Sequence, residues 1–359
     1  MGNLIAPPKD SVVLVPPRFE TRGLMRPVVV ENPMTVLFGN LFRREVLYDL
    51  HNFNGSVSLD VLLAPEVPVT MAAHLGMSGS SLSKTVDGGT LNLYLHKKVS
   101  EKIGSLCRMS LSPTLGFGGY GVLSYAFKPD CRFSTVLSEK SIGLRCEGNK
   151  IFCGLDVPLR VPRDTSTWFV SNVWRNIWIG ASLCPLNPEV ISSFSASVEK
   201  RIPHTDSSYC VSGNVDVSQT GPPQLTVGFS QHLVTHRKVY NPFEEARWIA
   251  NYVDIVLEAT GSAVSAGVGW QPNKNFLTKI HVSTDKGVLA TLVARNWWIP
   301  SVLASVSAGV DNRGQRCVGA RLQVSNWAAS GPQYQKGVPG NAVAPTLRYT
   351  HTHTSEASV

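Results

Sequence analysis

The stretch 275–326 decides the fold of this chain, and it reads NFLTKIHVS (275–283), GVLATLVARN (287–296) and PSVLASVSAGVDNRGQRCVGARLQVSN (300–326). It contains four consecutive segments of about ten residues each, joined by short connectors, and side-chain character alternates along each segment with a period of two. Repeated alternating segments of this length are typical of transmembrane β-strands, whose signal gains weight through repetition. The stretch therefore predicts a membrane-spanning sheet built from hairpins.

The same alternation extends from residue 56 through most of the chain. In the first such segment Val57, Leu59 and Val61 alternate with Ser58 and Asp60. Similar segments number about 17 to 19, each near the length that a tilted strand needs to cross the hydrocarbon of a bilayer. The sequence therefore predicts an all-β protein, a transmembrane up-and-down β-barrel over residues 53–327, without a domain boundary inside it.

The two ends of the chain follow other patterns. Residues 1–33 contain six prolines and no period, which predicts an extended arm. Residues 34–52 place leucines at helical spacing, which predicts an amphipathic helix. That helix either packs on the body of the protein or lies in or near the lumen of the pore. Residues 328–359 are polar and end in THTHTS, which predicts a disordered tail rather than a metal site at its two histidines.

Composition narrows the class of protein. Of the 359 residues 43% are hydrophobic and only 16% charged, against a usual charged fraction of about 25%. No long apolar run or signal peptide is present, so neither a transmembrane helix nor secretion is expected. The net charge is +8, but Lys and Arg are dispersed, so no nucleic-acid partner is expected. The seven cysteines show no Cys-x-x-Cys spacing, which favours free thiols.

The residue patterns of enzymes are absent from the sequence. It has no phosphate-binding Gly-rich loop, no nucleophile elbow and no His-Glu-x-x-His site. The adjacent Glu244 and Glu245 follow Pro242 closely and are expected in a loop, and His232 and His236 do not share a helical face. We therefore expect no catalytic residue, no cofactor and no metal ion, and the chain is not predicted to be an enzyme.

A soluble all-β protein is the alternative of another class, because one face of an alternating strand also suits a β-sandwich or a jelly roll. The tryptophans leave a similar choice, since rings near strand ends form either a buried core or an interfacial girdle. They are Trp168, Trp174, Trp178, Trp248, Trp270, Trp297, Trp298 and Trp327. Along the whole chain, the apolar positions outnumber those that the core of one soluble sandwich needs. This number favours a membrane protein over a soluble all-β protein.

The last predicted strand carries a motif that resembles a known sorting signal. In CVGARLQV (317–324), Gly319, Leu322 and Val324 match the glycine and the two hydrophobic residues of the signal found in mitochondrial outer-membrane barrels. Cys317 stands where that signal has a polar residue. Near the other end, the Pro33-led helix followed by FNGSVSL (53–59) is similar to the same family. The chain thus resembles the eukaryotic porin superfamily, most of all the pore subunit of the outer-membrane protein translocase.

The resemblance implies a barrel of about nineteen strands with the helix in or near its lumen. It implies a mitochondrial outer-membrane location and a protein-conducting function, with a voltage-dependent anion or metabolite channel as the alternative. The implied partners are the lipid bilayer, small single-span translocase or receptor subunits, mitochondrial precursor proteins and a second barrel copy. By alternation, the charged residues expected to face the lumen are Asp60, Asp156, Asp216, Asp254, Glu258, Lys279, Arg295 and Arg321.

Overall fold

The computed structural model describes residues 13–14, 34, 37–51, 57–62, 69–78, 85–98, 103–112, 116–128, 131–148, 150–174, 176–187, 192–202, 207–218, 221–241, 244–296, 298–299, 301–325 and 331–332. For the strands before residue 99 the description is limited to the backbone. Most of the predicted arm (1–33) and of the predicted tail (328–359) lies outside the described residues.

The described residues form an all-β structure with one short α-helix. The helix α1 spans Asn40–Leu47, and a single 3-10 turn spans Pro162–Asp164. The strands are β1 (Val13–Leu14), β2 (Val57–Leu62), β3 (Val69–Ser78), β4 (Thr85–Lys98), β5 (Ile103–Ser112), β6 (Gly116–Lys128), β7 (Cys131–Ser138), β8 (Ser141–Glu147), β9 (Ile151–Pro158), β10 (Ser166–Trp174), β11 (Ile177–Leu183), β12 (Ser192–Arg201), β13 (Ser208–Val217), β14 (Gln224–Asn241), β15 (Glu244–Thr260), β16 (Ala263–Gln271), β17 (Phe276–Ser283), β18 (Gly287–Asn296), β19 (Trp298–Ile299), β20 (Ser301–Val310), β21 (Arg316–Ser325) and β22 (Gly331–Pro332).

One main sheet holds twenty of these strands, counted over the described residues. From β2 to β18 each strand pairs antiparallel with the next strand of the chain, and the series continues through β20 to β21. The short strands β19 and β22 form a separate two-stranded sheet. This order of hairpins confirms the prediction of an all-β, antiparallel structure.

The first and last long strands of the main sheet also pair with each other. Strand β2 runs parallel to β21, and the register places Val57 opposite Ala320 and Leu62 opposite Ser325. This is a pairing between residues more than 250 positions apart in the sequence. The hydrogen-bonded series that begins at β2 therefore meets β2 again at β21.

Turn chemistry places the C-terminal hairpins where the sequence predicts them. In the β17–β18 turn Gly287 has a φ of +83°, and a Cβ there would lie 2.2 Å from the Val310 carbonyl oxygen. In the β20–β21 turn the Asp311 carboxylate accepts hydrogen bonds from the Arg313 and Gln315 backbone N–H groups at 2.9 and 2.8 Å. Gly314 takes a φ of +79° beside them. These local interactions fix the register of the two hairpins.

The two faces of the sheet differ in character, and β17 shows the difference. Lys279 and His281 are buried on the face that carries the helix, called here the helix-bearing face. Phe276, Ile280 and Val282 are exposed on the opposite face, called here the apolar face. Because side chains alternate along a strand, the same division follows on each strand that pairs in register with β17.

The hairpin of β14 and β15 is longer than its neighbours. These strands have 18 and 17 residues, whereas β13 has 10 and β16 has 9. Strand β16 pairs with β15 only as far as Tyr252. Beyond that point the short strand β1 pairs in parallel, with Val13 opposite Trp248 and Leu14 opposite Ile249. A part of the predicted arm is thus extended and lies beside β15.

The helix is shorter than the predicted 34–52. Phe38 and Gly39 take left-handed φ values of +61° and +70° immediately before α1, so the chain turns there instead of continuing as a helix. Leu50, with a φ of +66°, ends the helical region on the other side. Leucine spacing alone could not reveal this because it reports side-chain periodicity and not backbone dihedral angles.

Candidate functional site: the helical segment on the sheet

The helical segment, defined here as Met34 together with residues 37–51, lies across many strands of the helix-bearing face. Its beginning is held by an apolar cluster in which Met34 and Phe38 contact Phe152, Trp168 and Trp178. These partners come from β9, β10 and β11, and each is at most 5% exposed. The segment thus starts in an aromatic pocket on one side of the sheet.

Arg43 anchors the middle of the segment. Its side chain is buried, and its Nε atom lies 3.0 Å from a carboxylate oxygen of Glu258 on β15. The same guanidinium donates hydrogen bonds to the Phe38 carbonyl oxygen at 3.1 Å and to the Ser212 hydroxyl on β13. A further hydrogen bond joins it to the Asn40 side chain. Arginine suits this position because its planar guanidinium can serve several acceptors at once.

Lys279 on β17 binds the end of the helix. Its Nζ atom donates hydrogen bonds to the backbone carbonyl oxygens of Glu45 and Asp49. The last carbonyl groups of a helix have no partner within the helix and carry partial negative charge, so an ammonium group satisfies them well. Next to it Leu47 is fully buried and packs with Val256 of β15. The helix end is therefore fixed by both a cation and an apolar contact.

The segment ends in a second apolar cluster and a histidine. Leu50 packs with Leu277, Val293 and Leu303 of β17, β18 and β20. The Nδ1 atom of His51 lies 2.6 Å from the Thr291 hydroxyl on β18. Burial, with the nearby Lys279 and His281, lowers the pKa of His51 from 6.5 to about 3. The histidine is therefore neutral at physiological pH.

Tyr48 connects the segment to the β17–β18 turn. Its ring centroid lies 5.9 Å from the His281 ring, and the Lys286 Nζ atom lies 4.2 Å from its centroid. Burial, followed by the Glu258 and Asp285 carboxylates, raises the pKa of the Tyr48 hydroxyl. The cation over the ring and the neutral phenol together hold the segment against the turn.

Three glycines of the sheet make room for the segment. A Cβ added at Gly180 of β11 would lie 2.7 Å from both Met34 and Phe38. At Gly228 of β14 it would lie 2.2 Å from the Arg43 guanidinium, and at Gly267 of β16 2.7 Å from a Leu47 methyl carbon. Glycine therefore recurs where the segment approaches the backbone of the sheet most closely.

The predicted lumen residues with described side chains share the helix-bearing face, because they alternate with the exposed apolar residues. Only some of them are brought together. Glu258 and Lys279 bind the helical segment, and Asp254 lies 2.6 Å from His232. Asp156 lies farther along the sheet, where it accepts a hydrogen bond from the Trp168 indole N–H at 3.1 Å and lies 3.6 Å from Arg145.

The remaining predicted residues are Asp216, Arg295, Arg321 and Asp60. Asp216 accepts hydrogen bonds from Ser193 and Asn214 at 2.6 and 2.9 Å. Arg295 and Arg321 are partly exposed on β18 and β21. For Asp60 only the backbone is described, and the register places it opposite Gln323.

The three residues that resemble a sorting signal lie in β21, and their exposure differs. Gly319 is buried on the helix-bearing face, and Leu322 is 41% exposed on the apolar face. Val324, which shares the face of Leu322 by alternation, is only 8% exposed. It pairs in register with Val302 of β20 and Val61 of β2, at the junction between the last and first long strands.

Some of the tryptophans belong to a buried core, and others are exposed as an interfacial girdle would have them. Trp168 and Trp178 are buried in the cluster with Phe38, so an interfacial girdle is the wrong interpretation for them. Trp174 and Trp270 are 70% and 52% exposed, as a girdle requires. Sequence reasoning placed all eight near strand ends and could not tell which face each ring occupies.

Several residues of the site were missed from the sequence. Arg43, His51, His281 and Gly267 were given no role there. The signal that could have found Arg43 is its position between Leu41 and Val46, on the turn that buries apolar residues. Nothing local marks His51 or Gly267, because their partners come from distant strands.

No family model matches the chain, and no curated protein matches it. Among the residues that the structure describes, no helix is long and apolar enough to cross a membrane. The same residues contain no group of three or more histidine, cysteine or acidic side chains arranged to hold a metal ion. The contacts described above hold a helical segment in place on one face of the sheet.

Replacing Gly267 tests how closely the segment is fitted to the sheet. The new methyl group in Gly267→Ala overlaps with Leu47, and we expect a loss of about 1–3 kcal/mol in the free energy of unfolding. Trypsin cleavage after Arg43 and Arg44 is expected to accelerate as the segment is displaced. Gly213→Ala is the matched control, since a Cβ at Gly213 would meet nothing within 4 Å. Equal stability and cleavage of the two variants would contradict the fit.

Acidification tests the His51 contact. Because the folded protein lowers the pKa of His51 from 6.5 to about 3, its stabilising effect is complete above pH 6.5 and declines as the pH falls towards 3. At about pH 5 the expected loss is about 2 kcal/mol. His51→Asn keeps a hydrogen-bonding atom near Nδ1 but cannot titrate. Unfolding of both proteins at about pH 7.5 and about pH 5 should show a smaller acid loss in the variant, and equal losses would refute this role.

Proposed function

We propose that this chain is a β-barrel channel of the mitochondrial outer membrane, and that polypeptide precursors pass through it. The observation that carries the proposal is the contrast between the two faces of one long antiparallel sheet. One face is apolar and exposed, and the other carries the helical segment and combines buried apolar clusters with charged and polar side chains. This is the arrangement that a lipid-facing wall around an aqueous lumen requires.

The apolar face supports contact with lipid. Every strand from β5 to β18, and also β20 and β21, exposes at least one large hydrophobic side chain. Phe117 at 70% and Val318 at 66% are among the most exposed. Soluble monomers rarely expose continuous apolar patches larger than a few hundred Å². A face that is apolar from strand to strand is therefore better matched to hydrocarbon than to water.

The parallel pairing of β2 with β21 supports closure of the sheet into a barrel. An open edge would leave a row of backbone N–H and C=O groups without partners, which hydrocarbon does not tolerate. Pairing the two outermost long strands satisfies those groups along residues 57–62 and 320–325. Each hairpin reverses the direction of the chain. In a series with an odd number of strands the first and last strands therefore run in the same direction and can pair only in parallel.

The soluble alternative is less consistent with these faces. A sandwich or jelly roll needs a second sheet to cover its apolar face. In the described part of the chain, the sheet outside the main one is the two-stranded pair of β19 and β22. That pair is far too small to cover strands β5 to β21.

The mitochondrial location and the cargo rest on the sequence. The location rests on Gly319, Leu322 and Val324 in the last long strand, which resemble the sorting signal of mitochondrial barrels. The choice of polypeptide cargo rests on the length of the chain and on the helical segment that precedes the first long strand.

A net charge of +8 favours the second candidate, an anion or metabolite channel. On the helix-bearing face, Arg43 and Arg145 lie beside acidic partners, so cations and anions are both represented there.

Membrane association is tested by carbonate extraction of mitochondrial membranes. We expect the chain to stay in the pellet because hydrocarbon contact is unaffected by high pH and salt. A soluble matrix protein and an integral outer-membrane protein are the two reference samples. Release of the chain into the supernatant would exclude both channel candidates.

The cargo is tested by recording purified protein in planar bilayers. A protein-conducting channel is expected to prefer cations and to be blocked by a basic presequence peptide, since acidic lumen residues attract it. A scrambled peptide of the same charge but without amphipathic spacing is the control. Anion preference with no block by the presequence would favour the metabolite channel.

The proposed sorting signal in β21 is tested by replacing Gly319, Leu322 and Val324 with alanine in one variant. We expect membrane assembly to fail while synthesis continues, because the insertion signal is removed. Val306→Ala with Val310→Ala on β20 is the matched control, since both side chains are exposed on the same apolar face. The readout is the fraction of newly imported protein that resists protease. Equal assembly of the two variants would contradict the sorting function.

A further inference from the structure

Three of the seven cysteines converge on the apolar face, although no sequence motif connects them. Cys146 of β8 and Cys153 of β9 are partners in register. Phe133 is the β7 partner of Cys146, so Cys131 lies diagonal to Cys146 on the same face. The Cys146 thiol thus has both the Cys131 and the Cys153 thiol as neighbours.

The cluster is accessible to small reagents. Cys146 follows Leu144 on the apolar face, and Cys153 follows Ile151, which is 50% exposed. All three cysteines are themselves partly exposed, whereas Cys184 and Cys210 are buried. The three thiols also lie near one end of their strands, next to the β8–β9 turn. On the proposed barrel this end of the strands lies at the rim of the apolar face, beside water, so a small reagent reaches the thiols without unfolding of the sheet.

We propose that Cys146 and Cys153 form a reversible dithiol–disulfide site that exchanges with small disulfides. Directly paired residues of antiparallel strands have Cα atoms about 4.5–5.5 Å apart. That separation falls within the range of about 4.4–6.8 Å that a disulfide spans. Cys131 does not pair directly with Cys146, since diagonal neighbours are about 7–8 Å apart. The geometry therefore selects Cys153 as the disulfide partner of Cys146.

The reaction balances with glutathione disulfide as the oxidant. The Cys146 thiolate attacks one sulfur of glutathione disulfide and releases one glutathione thiolate, which leaves a mixed disulfide on Cys146. The Cys153 thiolate then attacks the Cys146 sulfur and releases the second glutathione. The protein loses two electrons and two thiol protons, and glutathione disulfide is reduced to two glutathione molecules. Excess glutathione reverses both steps.

The site lies directly behind the start of the helical segment. Phe152 precedes Cys153 on β9, faces the other side of the sheet and belongs to the cluster that holds Met34 and Phe38. A covalent link between β8 and β9 next to Phe152 restricts the strand on which that cluster rests. The thiol cluster itself does not depend on whether the protein is a channel.

The experiment uses the full chain, purified under reducing conditions and then exposed to glutathione disulfide. Remaining thiols are blocked with N-ethylmaleimide, and the adducts are counted by intact mass and mapped by peptide analysis. We expect two fewer adducts than in the reduced protein and a peptide that links Cys146 to Cys153. A protein that keeps all its free thiols, or that acquires only glutathione adducts, would overturn the proposal.

Single serine variants assign the bond. Cys146→Ser and Cys153→Ser should each abolish the linked peptide, and Cys153→Ser should stop at one glutathione adduct on Cys146, whereas Cys131→Ser should still form the linked peptide. Cys107→Ser on β5 is the matched control, because Cys107 is also partly exposed but lies outside the cluster. Thermal unfolding of each reduced variant shows that the sheet is intact before oxidation. A disulfide that forms through Cys131 would also overturn the assignment.

Discussion

The division of one antiparallel sheet into two unlike faces is the constraint on which the rest of the structure depends. Successive side chains of a strand point to opposite faces, so β17 directs Lys279 and His281 to one side and Ile280 and Val282 to the other. A shift of register by one residue would exchange these sets. The fixed register thus keeps the apolar face continuous and gives the helical segment its polar partners.

The position of the helical segment in turn depends on two buried charges, those of Arg43 and Lys279. Neither the segment nor the sheet could bury its own charge without partners from the other. Arg43 and Lys279 are both buried, and a buried cation is stable only when it is paired or hydrogen-bonded. The sheet supplies Glu258 for the first, and the helix supplies backbone carbonyl groups for the second. Such contacts specify one position for the segment, while Leu47 and Leu50 contribute the apolar burial that makes it stable.

Sequence patterns predicted the sheet better than the site. The hairpins of 275–326 follow from alternation and from turn residues such as Gly287 and Gly314, which act within a few positions. The helix limits were wrong because Phe38 and Gly39 adopt left-handed backbone angles that leucine spacing does not report. The buried pair of tryptophans, Trp168 and Trp178, was not separated from the exposed ones. The tryptophans differ because their surroundings are set by residues far away in the chain, such as Met34 and Phe38.

The sequence by itself determined the strand periodicity, the turns and the two-sided character of the sheet, because these depend on neighbours a few residues apart. Only the tertiary structure decided which residues meet across the sheet. Arg43 and Glu258 are 215 positions apart in the chain. The three clustered cysteines come from three different strands. Such contacts depend on the accumulated register of many hairpins and on the path of the helical segment, and no local pattern encodes either of these.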